Sequence, residues 1–353
     1  MKHIILSCLL FASSTLAAQT QVFNYNPSAT TDGATFFLPR TAIRISVLTE
    51  KTVYTPGEYA AYAQRFLRLN DVSTEANITH RILAISQMAV GVADTTKAYT
   101  IKFNPKTSAT NVTLAQDGTL LAINATSEGQ ILPARFQAAP QTPLPDPHRF
   151  QNEEILAAGS LSKMAQLTAQ EIYDLRENRN LLIKGQADFM PNDGQQMKMM
   201  LDQMDIQDRA LTSLFSGITE RDTTEYIFYA CPSGNTEGYI LFRFSKHFGM
   251  VDADDLSGAP YTITITDLNS VPKTPTSKRG KKAENGLYYN VPGRLRSIIS
   301  NGHNILSQEE MPAAQFGNVE LLSGDLFNKH YGTRVWMNPV TGVIDRLEAE
   351  QPK

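Results

Sequence analysis

The chain has 353 residues, of which 42% are hydrophobic and 19% charged, and its formal net charge at pH 7 is −3. This is the composition of an ordinary globular protein long enough for more than one core, which argues against a disordered or fibrous chain. A charge this near neutral argues against a nucleic-acid or acidic-surface partner.

The start of the chain has the parts of a secretory signal: Lys2, an apolar run from Ile4 through Leu16, and small residues at Thr15, Ala17 and Ala18. Cleavage after Ala17 or Ala18 is the expectation, because lipidation at Cys8 would leave only Ile4, Ile5 and Leu6 as the apolar region. No later stretch approaches the roughly 20 apolar residues that a membrane span needs. With the signal removed, Cys231 is the one cysteine left, so packing rather than a disulfide must stabilise the chain.

Strand signals come next. Ile43, Ile45 and Val47 alternate with Arg44 and Ser46, the pattern of a half-buried strand. A short helix is expected after Thr55 and Pro56, with Glu58 closing a capping box and Tyr59, Tyr62, Ala63 and Phe66 on its buried face. Four strands are read between Asn77 and Asn124, the last two joined at Asp117-Gly118, a dipeptide that tolerates the positive φ of a tight turn. A Pro-rich stretch around Pro140 to Phe150 then breaks all periodicity.

From Ser160 to Gly217 the period changes to that of helices. Met164, Leu167, Ile172 and Leu175 mark one helix, and Met197, Met200, Leu201, Met204, Leu211, Leu214 and Phe215 a second. Gly185 and Gly217 are placed to end them, and Asp193 with Gln196 has the form of a capping box. Beyond them, strands are expected before and after Cys231 as a hairpin, and then at Ala259 to Leu268, Leu287 to Ser300, Gly317 to Ser323 and Thr333 to Pro339. A turn is expected from Asn338 to Gly342. The segment from Phe36 to Pro39 is echoed by that from Tyr288 to Pro292, each leading into a strand. The Lys-rich run from Lys273 to Lys282 reads as a solvated loop.

Chemical motifs are sparse. Ser160-Leu161-Ser162-Lys163 has the serine-x-x-lysine spacing of penicillin-recognising enzymes without their companion motifs, so helix capping is the better reading of Ser160. Cys231 with His247 as base would be a nucleophilic pair, but the thiol closes an apolar strand and reads as buried and inert. Asp252, Asp254 and Asp255 offer oxygens for weak calcium binding, although Leu256 breaks the EF-hand pattern and a solvated acidic turn explains them as well. No catalytic residue, cofactor or other metal site is expected.

The signal segment together with Leu38 to Leu67 and Glu171 to Phe215 resembles a family of exported Bacteroidota proteins known as domain of unknown function 4831. The Tyr-x-Pro-Gly at Tyr54, Arg-Glu-Asn-Arg at Arg176 and Met-Leu-Asp-Gln-Met at Met200 are its more distinctive parts. The resemblance implies a periplasmic, envelope or extracellular address and no activity.

The expected fold is α+β and β-rich, with two strand-rich, sandwich-like halves and a central αα-hairpin. The expected division is a signal peptide to residue 18, an N-terminal β-rich domain at 19–136, a linker at 137–159, the hairpin at 160–217 and a C-terminal β-rich domain at 218–353. The expected function is non-enzymatic binding of a glycan, peptide or envelope protein. Exposed aromatics at Tyr288 and Tyr289 would favour a glycan, and an exposed face at Met197, Met200 and Met204 a protein. A hydrolase with a site assembled from distant residues and a structural assembly subunit are the alternatives.

Overall fold

The computed structural model describes residues 33–102, 111–140, 142–191, 193–272, 286–327 and 332–350. The segment read as a secretory signal and the Lys273 to Lys282 run lie outside the described residues.

The first half of the chain contains β1 (Gly33–Thr55), α1 (Ala63–Leu67), β2 (Asn77–Lys102), β3 (Val112–Leu114), β4 (Leu120–Ile123) and α2 (Glu153–Leu156). Then come α3 (Leu161–Lys184), α4 (Gly194–Ser216), β5 (Ile218–Ala230), β6 (Thr236–Ser245), β7 (Gly249–Val251) and β8 (Ala259–Asp267). The end of the chain adds β9 (Gly286–Ser300), β10 (Ile305–Ser323), β11 (Gly332–Met337) and β12 (Ile344–Glu350). The strands pair in three sheets with orders β2-β1-β5, β10-β9-β8-β6-β7 and β12-β11-β4-β3, and their pairings are antiparallel. The β-rich α+β class and the αα-hairpin are those the sequence predicts.

Alternation along β1 sets the main core. Ile43, Ile45 and Val47 are fully buried against Phe242, Phe244, Ile263, Leu295 and Ile299 of the five-stranded sheet, while Arg44 and Ser46 face the other way. Before its bend at Pro39, β1 supplies Phe36 and Leu38 to a second core with Leu120, Ile123, Leu287 and Val335. A third core joins Tyr59, Ala63 and Leu67 to Ala165, Ala169, Ile172, Leu211, Leu214 and Phe215 of the helical hairpin.

Several local expectations are met. Ser160 Oγ accepts from the Lys163 amide at 3.3 Å and Asp193 Oδ1 from the Gln196 amide at 2.7 Å, while Gly118 and Gly185 have φ of 84° and 69°. Others are corrected. Thr55 still belongs to β1, and the helical turn after it starts at Ala60 with no side-chain cap. The Tyr59 amide instead donates to the Leu214 carbonyl at 2.7 Å, and Glu58 faces His148 Nε2 at 3.5 Å. The tertiary partner replaces the local one.

β5 and β6 do not form the expected hairpin: β5 pairs with β1 and β6 with β7 and β8. The segment around Cys231 carries the chain from one sheet of the sandwich to the other, because each strand needs its apolar side against the shared core. Two of the expected strands merge into the 26 residues of β2, and the helix α2 forms inside the expected linker. Strand pairing also crosses the expected boundaries at 136 and 217, since β5 pairs with β1 and β11 with β4.

The echoed segments meet in space. Asn290 Nδ2 donates to the carbonyls of Pro39 and Thr341, both at 2.8 Å. Each proline sits at a break in a long hairpin: the β1–β2 register shifts between Phe37 and Pro39, and the β9–β10 register shifts between Ala313 and Asn318, opposite Pro292. Proline lacks the amide a ladder needs, so a bend at this position costs no hydrogen bond. Beside it, Gln315 clasps the Thr41 backbone through both amide atoms at 2.9 and 2.8 Å.

On the outer side of the three-stranded sheet, Arg44 and Glu225 approach to 3.6 Å with side chains 6% and 9% exposed. Glu225 also accepts from the Ser46 hydroxyl and, at 2.8 Å, from the Phe136 amide, which pins the segment before the Pro-rich stretch to the sheet. The Ser46 bond, then the Phe136 amide and Arg44, hold its carboxyl below the ordinary range against the opposing effect of burial.

A carboxyl lowered on folding contributes stability above its unfolded pKa, and that stability is lost as pH falls through the folded value. Melting temperature should therefore hold steady from neutral pH to about 5 and fall below about 4. Glu225→Gln should lower stability at pH 7 by roughly 3 kcal/mol, because Arg44 stays buried without its partner. It should also flatten the acid limb, which urea titration at several pH values checks. Gly91→Ala should cost about 1–3 kcal/mol in the same assay, since a Cβ there would fall 2.0 Å from the Pro339 carbonyl oxygen.

Candidate interaction site on the helical hairpin

The two hairpin helices have 24 and 23 residues, roughly 35 Å each at helical rise. Among the described residues, the hairpin packs against the rest of the protein at its base, where Ala165, Ala169, Ile172, Leu211, Leu214 and Phe215 meet Tyr59 and its neighbours. Farther out, two ion pairs bridge the helices: Arg176 to Asp208 at 2.9 Å and Arg179 to Asp205 at 2.9 Å. Half-exposed pairs of this kind align the helices more than they stabilise them.

Past those rungs the apolar content is no longer covered. Among the described residues from 180 to 204, Leu182 alone is buried. Phe189 is 67% exposed, Met199 64% and Ile183 55%, with Met190 also exposed. Met197, Met200 and Met204 are half-buried, at spacings of three and four residues that place them on one side of α4. Several large apolar side chains gathered at the end of one hairpin exceed the scattered single exposures of a normal surface. Methionine adapts its shape to whatever it meets, which suits such a surface to a partner.

The other predicted residues are placed differently. Tyr288 is half-buried and stacked on Tyr99, with ring centroids 4.5 Å apart. One of its faces is therefore occupied. Tyr289 donates to Glu320 at 3.1 Å, and burial followed by Glu320 pushes its hydroxyl pKa up. Successive residues on β9 point to opposite sides, so the two rings do not form one platform.

Cys231 is exposed rather than buried, because β5 ends at Ala230 and the thiol lies in the crossover that follows. His247 stands beyond the far end of β6, a strand roughly 30 Å long, so the sequence pairing of these two is not brought together. Asp252, Asp254 and Asp255 are exposed, and Asp255 accepts from the Ser257 amide at 2.8 Å. Among the described residues, no group of three or more His, Cys, Asp or Glu side chains is placed to hold a metal ion. No helix among them is long and apolar enough to cross a membrane.

Two grooves indent the sheets. One of about 710 Å³ lies between β2, the β3–β4 hairpin and the segment Ser127 to Leu132. Another of about 430 Å³ lies beside β2 between Arg81 and Ile85, against Phe244, Tyr261 and Leu306. Neither was legible in the sequence, since both form between elements distant along the chain. The exposed Phe189 and Met190 did have a local signal: an apolar pair in a turn between two helices has no core to enter.

A family model described as a domain of unknown function, DUF4831, matches residues 32–345. No curated protein and no solved structure matches the chain.

The exposure of Cys231 predicts that a disulfide reagent such as DTNB modifies it in the native protein at a rate near that seen in urea. Cys231→Ser should abolish that fast reaction. A native rate slowed by orders of magnitude would mean the thiol is shielded.

Proposed function

Because the chain belongs to the DUF4831 family, for which no activity is assigned, we propose its role from its own surface. It is a non-enzymatic binding protein, exported to the envelope of a Bacteroidota cell, that grips a protein partner with the end of its helical hairpin. The observation that carries this reading is the cluster of Ile183, Phe189, Met190 and Met199, exposed beyond the last interhelical ion pair. Burying such side chains is worth about 1.5–3 kcal/mol each, enough for a few to anchor an interface. A protein partner is favoured over a glycan because Tyr288 already stacks on Tyr99 and Tyr289 is tied to Glu320, so neither offers a free ring platform. The export reading is supported by the signal pattern from Lys2 to Ala18.

A photo-crosslinking amino acid at position 199 in producing cells is expected to give one discrete protein adduct, lost when Phe189→Glu is added. The same group at exposed Glu128 should give none. Phe189→Glu should leave stability within about 0.5 kcal/mol of wild type, as for other exposed sites. Absence of an adduct at 199, or an adduct indifferent to Phe189→Glu, would sink the reading.

A further inference from the structure

β2 is an edge strand of its sheet, and its outer edge is paired on both sides of its middle. The His80 amide donates to the Lys246 carbonyl at 2.7 Å. At the other end, Gln130 imitates a neighbouring strand with its side chain: Oε1 accepts from the Gly91 amide at 3.1 Å, and Nε2 donates to the Ala89 carbonyl at 2.9 Å. Asp117 then takes the Ala93 amide at 3.0 Å. These contacts quench an edge that would otherwise template unwanted pairing.

Between the quenched ends a window remains. Among the described residues, no hydrogen bond meets the outer edge of β2 from Ile82 to Ile85. This same stretch walls the groove of about 430 Å³, whose other residues are Arg81, Phe244, Tyr261 and Leu306. Leu83 and Leu306 are 40% and 39% exposed at its rim. Leu83 is also displaced from the ladder, because Leu48 pairs with Ala84 and Thr49 with Ile82. The bulge and the two quenched ends limit any added strand to a few residues and prevent open-ended sheet growth.

We propose that this window is a strand-addition site for a short extended segment of a partner protein, paired to the backbone of Ile82 to Ile85 with an apolar side chain in the groove. The occupant follows from what the window lacks. Unpaired amides and carbonyls along a strand edge call for a peptide backbone, and an apolar wall of Phe244, Tyr261 and Leu306 calls for an apolar side chain beside it. The groups that close the edge on either side, a carbonyl and a carboxamide, are themselves peptide-like. This site is separate from the end of the helical hairpin and stands or falls without it.

The test is selection of a random dodecapeptide library on the full chain, followed by a synthetic peptide of the winning sequence and its counterpart N-methylated at alternate amides. Expected results are binding to wild type, loss of binding on methylation, and affinity about tenfold weaker in both Leu83→Glu and Leu306→Glu. The Ile82 and Ile85 amides should exchange with deuterium at least about tenfold more slowly when the peptide is bound. Failure to enrich any peptide, binding that survives methylation, or equal binding to both variants would overturn the proposal. So would a concentration-dependent dimer broken by Leu83→Glu, which would assign the window to a second copy.

Discussion

One strand supplies two of the three cores and leads directly into the third, and the fold depends on its continuity. β1 places Phe36 and Leu38 in one core and Ile43, Ile45 and Val47 in another. At its far end the Tyr54 hydroxyl donates to the Ser216 carbonyl at 3.1 Å, just where α4 stops. Close approach continues there, since a Cβ on Gly217 would lie 2.4 Å from the Thr55 carbonyl oxygen. A 23-residue strand can serve two cores and reach the base of a third only by bending, and the breaks in its pairing with β2 fall at Phe37/Pro39 and Leu48/Thr49. β9 answers with its own bend at Pro292, and Asn290 ties the two bends together.

That arrangement explains which parts of the molecule are anchored and which are free. The helical hairpin is fastened at its base by Tyr59, Ala63 and Leu67, which follow directly from β1. Its far end has only the other helix to pack against, so apolar residues there face water. The segment leading into the Pro-rich stretch is fastened twice to the β1 sheet, by Gln130 to the edge of β2 and by the Phe136 amide to Glu225 on its outer side. The two surfaces proposed for partners, the hairpin end and the gap in the β2 edge, lie away from these anchors.

How much of this could be read from the sequence follows from the range of the interactions. Ser160, Asp193 and Gly185 act within one helical turn, and Asp117-Gly118 within one β-turn, so their pattern reveals their structure. The region around Cys231 misled for the opposite reason. Two apolar strands with a short connection fit a hairpin locally, but each strand's partner is chosen by distant sheets. The same holds for Thr55 and Glu58, whose local capping pattern loses to the Leu214 carbonyl. Of the site residues, Met197, Met200 and Met204 share one side of α4 as their period implies but are half-buried rather than exposed, whereas the exposure of Phe189 and Met199 depends on where the helices end relative to the body. Tyr288 gave no hint in the sequence that Tyr99, 189 residues away, would stack on it.

Native-state hydrogen exchange across the whole chain tests the central claim most directly. If β1 couples the three cores, the slowest amides of the sandwich, of the β12-β11-β4-β3 sheet and of the helix bases around Ile172 and Leu211 share one opening free energy, equal to that of global unfolding. The hairpin end from Ile183 to Met200 exchanges earlier. Separate opening free energies for the regions before 136, from 160 to 217 and after 218 would contradict the account, because they would mean that the cores unfold as independent domains despite the strand that links them.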